Sequence, residues 1–266
     1  MKLDHVLQVE SRGEVEIVSL NRPNSLNALS PDLVDALNDY FSALHDRPDV
    51  RVVILRGNGR GFCAGLDIKA ARFDSDETPV LRTLKTQTAI GNIYRKMRSC
   101  PQPVIALGHG AACGGGLSLL LASDVRFGAP SLRMNAAYIK IGLGGCDMAS
   151  SYFLPRLVGS SLASEMILTG RFIDAQRALR AGLISEIVEE DALLDAGLSL
   201  AEEMLLTSPW GLRLSKQALN ANIDAPGLEH AMAIEDRQQV ILGATEDHRE
   251  AMMAFLEKRR PVYRGK

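Results

Sequence analysis

Gly108–Gly116, with the sequence GHGAACGGG, separates two apolar runs of this chain. The run before it, Pro103–Leu107, contains the β-branched Val104 and Ile105 and ends at a glycine, which predicts a buried strand. The run after it, Leu117–Ala122, is apolar on every face, which predicts a helix in the core. Two interpretations of the glycines are open. They form either a tight turn where backbone packs on backbone, or a helix start whose free amides hold an oxyanion.

Composition excludes several classes of protein. The chain has 266 residues, 46% of them apolar, and a net charge of −2. This length permits one large α/β domain, and the nearly neutral charge indicates neither a nucleic-acid nor a membrane-surface partner. No apolar run is long enough to span a membrane and no signal-peptide segment is evident, so we expect a cytoplasmic protein. We expect no metal site and only free thiols, because there is no CxxC spacing among Cys63, Cys100, Cys113 and Cys146.

Strands and helices alternate up to about residue 190, and only helices follow. Such alternation predicts a parallel sheet, with a site where strands end in loops. A second glycine-rich loop, Arg56–Ile68, follows the apolar run Val52–Leu55. Its GxGxG spacing is not a nucleotide-binding motif, and no GxxxxGK[ST] occurs. The acidic, proline-containing segment Phe73–Pro79 is predicted to be a mobile connection.

The two glycine loops, Gly59–Ile68 and Gly108–Leu117, resemble those of the enoyl-CoA hydratase/isomerase (crotonase) superfamily. Further matches occur in family order over nearly the whole chain, at Leu20–Pro23, Leu26–Ala28, Leu168–Gly170, Ala181–Ile184 and Phe255–Arg259. The resemblance implies an α/β fold: a spiral of ββα units, predicted here for residues 1–195, and a C-terminal helical region, 196–266, that forms homotrimers or dimers of trimers. It also implies an acyl-CoA substrate, so that coenzyme A enters as part of the thioester and no separate cofactor is expected.

The resemblance assigns roles to individual residues. Two backbone amides hold the thioester carbonyl in this family, and the matching residues are Leu66 and Gly115. Losing one donor of this kind costs about 3–4 kcal/mol of activation free energy in a hydrolase. The coenzyme-binding positions of the family correspond to Arg22, Ala28, Ala64, Asp67, Ile68 and, for the coenzyme of another subunit, Lys258. The alternative for Arg22 and Lys258 is a solvated surface charge, and Lys258 also suits a helix C-terminus.

The catalytic glutamates of the family's hydratases are absent. Ser118 and Tyr138 occupy the two positions. A hydroxyl is a poor base at neutral pH because its unperturbed pKa lies far from 7. We therefore do not expect two-glutamate hydration. Tyr138 is aromatic and is expected to contact the acyl group.

One acid, Asp147, follows the loop Gly142–Cys146. With one extra loop residue, it matches the aspartate that dienoyl-CoA isomerases use as a proton carrier and 4-chlorobenzoyl-CoA dehalogenases use as a nucleophile. The other acids of the isomerases and the tryptophan of the dehalogenases are missing at Ser118 and Tyr138. Asp147 is therefore either a general acid/base or nucleophile near the acyl group, or the N-cap of the next helix. His109 is similarly open between catalysis and a hydrogen bond within a turn.

The sequence thus predicts an acyl-CoA enzyme that stabilises a thioester enolate. Its reaction stays open among isomerisation or other proton transfer, hydrolytic C–C cleavage, and hydration by a different set of residues. Two alternatives belong to other classes of protein. One is a non-catalytic acyl-CoA-binding protein that has kept the amide pair, and the other is a scaffold without a coenzyme A site.

Overall fold

The structure, a computed structural model, describes residues 5–70 and 78–266. Its strands are, in chain order, β1 (Leu7–Arg12), β2 (Val15–Leu20), β3 (Val52–Gly57), β4 (Val104–Gly108), β5 (Ala111–Cys113), β6 (Val125–Gly128), β7 (Arg133–Asn135), β8 (Ile173–Asp174) and β9 (Glu186–Ile187). Six of them form one sheet in the order β1-β2-β3-β4-β6-β9, and β5-β7-β8 form a smaller one. In the large sheet β1 runs antiparallel to β2, and every other neighbouring pair is parallel.

The helices of the described residues are α1 (Pro31–Ala43), α2 (Pro79–Ser99), α3 (Gly115–Ala122), α4 (Ser150–Thr169), α5 (Ala175–Arg180), α6 (Leu193–Leu205), α7 (Pro209–Asn222), α8 (Leu228–Gly243) and α9 (Glu246–Leu256). Their starts follow from local sequence. A serine or threonine side chain accepts a hydrogen bond from a first-turn amide in α1, α2, α7 and α9. Proline occupies the first turn of α1, α2 and α7, where its missing N–H costs nothing.

The large sheet is covered on both faces, which explains its nearly continuous apolar strands. In β4, Val104 and Ala106 pack into a core with α1, α2 and α3, whereas Ile105 and Leu107 pack into a second core with α6. All eight residues of α3 are buried, as the apolar run predicts. The glycine-rich stretch therefore lies at the carboxyl end of a fully buried strand, where it is anchored on both sides.

Most predicted elements are present, and the differences have local causes. The small sheet is absent from the sequence-based prediction because strands of two or three residues are too short to show alternation. The helix α4 has a break at Gly159, whose φ is +75°, so it consists of two helical segments. Of the predicted connection Phe73–Pro79, Thr78 and Pro79 begin α2, and the rest lies outside the described residues.

The C-terminal part is helical, as predicted. Its first helix, α6, spans the predicted boundary at residue 195 and packs on β3, β4 and β6. The helices α8 and α9 leave large apolar side chains exposed, among them Leu228, Val240, Phe255 and Leu256. None of the helices in the described ranges is both long and apolar enough to cross a membrane.

Candidate active site

Backbone hydrogen bonds join the two glycine-rich loops. The amide of Phe62 donates to the His109 carbonyl at 2.8 Å, and the amide of Cys63 donates to the Ala111 carbonyl at 2.9 Å. The amide of Cys113 returns a bond to the Cys63 carbonyl at 2.9 Å. Cys63 therefore forms a parallel bridge with Ala112 of β5. We call residues 61–66 and 110–116 together the cradle.

Glycine is required where the two halves of the cradle touch. A Cβ at Gly116 would lie 2.0 Å from the Cys63 carbonyl oxygen, which no real contact permits. Gly65 has a φ of +92°, and a Cβ there would lie 2.7 Å from the Cys113 carbonyl oxygen and 3.5 Å from the Gly115 nitrogen. Gly65 thus lies beside the Gly115 amide, and close backbone packing brings the two predicted donors together.

The amides of Leu66 and Gly115 are free to bind a ligand. The carbonyl of Gly65 accepts from the Leu29 amide at 2.7 Å, and Asp67 donates to the Leu29 carbonyl at 3.1 Å, so the intervening Leu66 amide points away from Leu29. Gly115 is the first residue of α3, where an N–H has no intrahelical acceptor and the helix dipole is positive. Within residues 5–70 and 78–266 neither amide has an acceptor. This pair can hold a developing oxyanion.

Tyr94 of α2, which the sequence-based prediction missed, contacts the same helix start. Its hydroxyl donates to the Gly115 carbonyl at 3.0 Å, and the side chain is buried. Burial raises the pKa of Tyr94 above its usual value, and Tyr138, Cys63 and Asp147 raise it further, so the hydroxyl remains a neutral donor. Nothing in the sequence distinguishes it from any other tyrosine on the apolar side of a helix.

Ser118 and Tyr138, at the two hydratase glutamate positions, face each other. Their hydroxyl oxygens share a hydrogen bond of 2.7 Å, and both side chains are buried. Burial raises the pKa of Tyr138 above its usual value, and the Asp147 charge raises it further. The hydrogen bond with Ser118 lowers this pKa but does not outweigh burial. The ring is next to the cradle, since a Cβ at Gly114 would lie 3.4 Å from its Cε1 atom. Two neutral hydroxyls thus stand at the positions that the resemblance matches to the carboxylates of the hydratases.

Asp147 is not a helix cap. The cap position of α4 is Ala149, and the Asp147 carboxylate instead accepts from the Met148 amide at 2.7 Å and from the side-chain amide of Gln87, both through Oδ1. Oδ2 has no partner in the described parts of the chain. Met148 and Ala149 have φ angles of +47° and +62°, which is a strained conformation for residues with a side chain. Gln87 lies on α2, the helix that also carries Tyr94, so the Asp147 carboxylate is bound to the element that contacts the Gly115 carbonyl.

Four of the predicted coenzyme-binding residues lie together at the edge of the cradle. The Arg22 guanidinium donates to Asp67 Oδ2 at 2.8 Å and to the Ala28 carbonyl. The Ala64 amide donates to the carbonyl of Leu26 at 2.9 Å, and Leu26 lies in the turn between Arg22 and Ala28. Burial alone would raise the pKa of Asp67, but the hydrogen bonds from Arg22 and from the Ala70 and Lys69 amides outweigh it and hold that pKa below its usual range.

Comparison with known proteins identifies the family. The family model described as Enoyl-CoA hydratase/isomerase matches residues 10–266. This chain belongs to the enoyl-CoA hydratase/isomerase family. It is 39% identical over 255 residues to a probable enoyl-CoA hydratase, echA12, of Mycobacterium leprae, covering 94% of this chain and 87% of the relative. It is 34% identical over 268 residues to an (E)-benzylidenesuccinyl-CoA hydratase of Thauera aromatica, and the match covers 97% of this chain and 98% of the relative.

Solved structures of enoyl-CoA hydratases share the fold. The enzyme from Bacillus anthracis superposes with a TM-score of 0.93 at 31% identity, over 98% of this chain and all of that one (100%). The enzyme from Polaromonas sp. JS666 superposes with a TM-score of 0.89 at 30% identity, over 97% of this chain and 99% of that one. The predicted crotonase-type α/β fold and the predicted acyl-CoA-processing enzyme are therefore confirmed.

Other candidate residues of this enoyl-CoA hydratase/isomerase family member lie apart from the wall formed by Ser118, Tyr138 and Asp147. The His109 ring donates through Nε2 to the Gly59 carbonyl at 2.8 Å, which is a turn contact. Ile68 is 56% exposed, next to Asp67. Lys258 is exposed beyond α9, and no ion pair joins it to the cradle in the described chain.

The cysteines of this enzyme are all free. Burial raises the pKa of Cys63 to about 12 and that of Cys113 to about 11, so both cradle thiols are protonated at neutral pH. No group of three histidine, cysteine or acidic side chains that could hold a metal ion occurs among the residues that the structure describes.

Proposed function

We propose that this enzyme moves a proton along the acyl chain of an enoyl-CoA thioester, with Asp147 as acid and base. The observation that carries the proposal is the Asp147 carboxylate, whose Oδ1 is bound by α2, the helix that also contacts the cradle, and whose Oδ2 has no partner among the described residues. Neutral hydroxyls, which pair with each other, occupy the positions that the resemblance matches to the hydratase glutamates. A single carboxylate suffices for a double-bond shift, because the same group takes the proton and returns it.

The proposed steps use only groups of this chain. Asp147 removes a proton from the acyl chain, and the electrons move toward the thioester oxygen. The amides of Leu66 and Gly115 hold that oxygen while it carries the negative charge. Protonated Asp147 then delivers the same proton to another carbon of the conjugated system, so the double bond shifts and nothing is gained or lost. Ser118 and Tyr138 orient the acyl group as neutral donors, since burial keeps Tyr138 protonated.

Hydration is the second candidate, and the names of the relatives favour it. Both the mycobacterial and the Thauera relative are named as hydratases. In this reaction Asp147 Oδ2 accepts a proton from a water that is held by the Ser118–Tyr138 pair. Water adds across the double bond and no shifted alkene forms. The two reactions therefore differ in product mass.

The remaining predictions concern the substrate's other end and the assembly. We propose that Arg22, Ala28, Ala64, Asp67 and Ile68 contact coenzyme A, which enters as the thioester without a further cofactor. The exposed apolar side chains of α8 and α9 support association into a homotrimer or a dimer of trimers. In that assembly Lys258, beside this apolar face, reaches a neighbouring subunit's coenzyme. The four free thiols support a reducing, cytoplasmic location.

The test is Asp147→Asn, assayed by mass spectrometry against 2-enoyl- and 3-enoyl-CoA thioesters in deuterated water. We expect turnover to fall about a hundredfold to ten-thousandfold, because acid–base catalysis contributes that much, while binding is retained. The matched control is Asp35→Asn, an exposed aspartate on α1, which we expect to be fully active. Undiminished turnover by Asp147→Asn contradicts the proposal. Tight binding without turnover or deuterium exchange by the unmodified protein favours the non-catalytic alternative.

A further inference from the structure

Gln87, an exposed residue of α2, contacts the Asp147 carboxylate from across the site. Its side-chain amide donates to Oδ1, the oxygen that also accepts from the Met148 amide at 2.7 Å. Oδ1 therefore has two donors, while Oδ2 has none in the described ranges. The carboxylate is held by one oxygen and presents the other.

The same face of α2 reaches both halves of the site. Gln87 and Tyr94 are seven residues apart, which is close to two helical turns, so their side chains project from one side of the helix. Tyr94 donates to the Gly115 carbonyl at the cradle, and Gln87 donates to Asp147. A single rigid helix thus fixes the position of the carboxylate relative to the oxyanion donors.

We infer that Gln87 is a positioning residue that orients Asp147 for proton transfer through Oδ2. The inference rests on the proposed function of Asp147. A neutral amide donor suits this task, because it occupies Oδ1 without supplying a proton or a charge that would compete with the substrate. The Asp147 charge acts on two buried titratable side chains, Tyr94 on α2 and Tyr138 on the turn Ala137–Ile141. Both have raised pKa values and are neutral below pH 10.

The experiment replaces Gln87 by side chains of opposite charge and follows the pH dependence of kcat/KM. Gln87→Glu places a like charge at Oδ1 and is expected to move the acidic limb up by about one pH unit, whereas Gln87→Lys is expected to move it down by about as much. Gln87→Ala is expected to lower kcat about tenfold with little change in KM, as expected from losing one hydrogen bond to a charged group. Thr88→Ala, an exposed neighbour on α2, is the matched control and should leave the profile unchanged.

The outcomes separate this inference from the proposed function. Opposite shifts of the limb in the glutamate and lysine variants support it, because a merely structural role would not reverse sign with charge. Identical profiles for both variants, together with an inactive Asp147→Asn, overturn the inference and leave the role of Asp147 standing. Full activity of Asp147→Asn overturns the proposed function itself. Because Gln87 is exposed, we expect all variants to fold, and circular dichroism checks this.

Discussion

The cradle is formed by backbone groups, whereas the wall is formed by side chains. In the cradle, backbone amides and carbonyls hold residues 61–66 against 110–116, and Gly116 approaches Cys63 so closely that a methyl group has no room. In the wall, the groups that matter are the side chains of Ser118, Tyr138 and Asp147. A thioester oxygen needs only N–H donors, which a backbone supplies whatever its side chains are. The destination of the proton depends on side chains.

This difference shows which region indicates the family of the protein and which region determines its reaction. At Gly65 and Gly116 the cradle leaves no room for a Cβ, so these contacts require glycine, and such glycine-rich loops carry the resemblance to the family. In the wall, the buried hydroxyls of Ser118 and Tyr138 satisfy each other, so this pair needs no carboxylate to be stable. The strained Met148 and Ala149 lie beside Asp147. Strain of this kind costs about 1–3 kcal/mol per residue, and it concentrates at functional sites.

Breaking the cradle is expected to have the largest combined effect on activity and stability. Gly116→Ala places a Cβ 2.0 Å from the Cys63 carbonyl oxygen, so the two loops must separate. We expect kcat/KM to fall at least about a hundredfold, since one misplaced oxyanion donor has that effect, and we expect a lower melting temperature. Both are measured with the acyl-CoA on which the unmodified enzyme is most active.

The control for this variant is Gly243→Ala at the end of α8, where a Cβ meets no described atom within 4 Å. Alanine is a better helix former than glycine, so stability should be unchanged or higher and activity should be unaffected. Full activity of Gly116→Ala would show that the cradle is less constrained than its contacts indicate.

The Ser118–Tyr138 pair of the wall should respond differently: we expect its two substitutions to lower stability and to have non-additive effects. Tyr138→Phe leaves the buried Ser118 hydroxyl without its partner, which costs about 1–3 kcal/mol of unfolding free energy. Ser118→Ala does the same to Tyr138. The double variant removes both groups and should be more stable than the sum of the two single changes predicts. Urea denaturation measures all three, and strictly additive effects would contradict the pairing.

The sequence predicts the cradle better than the wall, for a physical reason. Glycines between an apolar strand and an apolar helix are local signals for a buried helix start, and the resemblance of both loops to the family then assigns Leu66 and Gly115 as donors. The same holds for a helix start such as Ser30, a serine directly before a proline. Local patterns set these features, so they can be predicted without knowing which parts of the chain come together.

Contacts of the wall and of α2 join residues far apart in the chain. Gln87 and Asp147 are separated by 60 positions, and Tyr94 and Gly115 by 21. No periodicity or spacing encodes such a pair. The helix-cap interpretation of Asp147 was open for the same reason: the left-handed conformations of Met148 and Ala149 are not evident in their side chains.

A smaller effect on catalysis is expected at the junction of the two regions. Tyr94→Phe removes the hydrogen bond to the Gly115 carbonyl and should lower kcat by up to about tenfold, because a neutral hydrogen bond contributes about 0.5–1.5 kcal/mol. Tyr40→Phe is the matched control, since Tyr40 is equally buried but donates to Glu16 at 2.8 Å, away from the cradle. It should lower stability without changing kcat. Equal kcat values in both variants would show that Tyr94 does not support the cradle.

The smallest effect is expected from a side-chain contact at the edge of the cradle. Asp67→Asn removes the ion pair with Arg22, whose partners are 21% and 11% exposed, and should cost up to about 1 kcal/mol of unfolding free energy at pH 7. Because folding lowers the pKa of Asp67, the pair stabilises the fold above the unfolded-state value near 3.9, and this contribution is lost as the pH falls through the lower, folded-state value.

The stability difference between the unmodified enzyme and Asp67→Asn should therefore shrink as the pH is lowered from 7 toward 3, as measured by urea denaturation. Asp35→Asn, which is exposed, should show no such trend. Since backbone bonds fix Leu66 independently of Arg22, kcat should stay within about twofold of the unmodified enzyme, as expected for a change away from the oxyanion donors. A large loss of kcat would mean that side chains, and not only the backbone, hold the cradle in place.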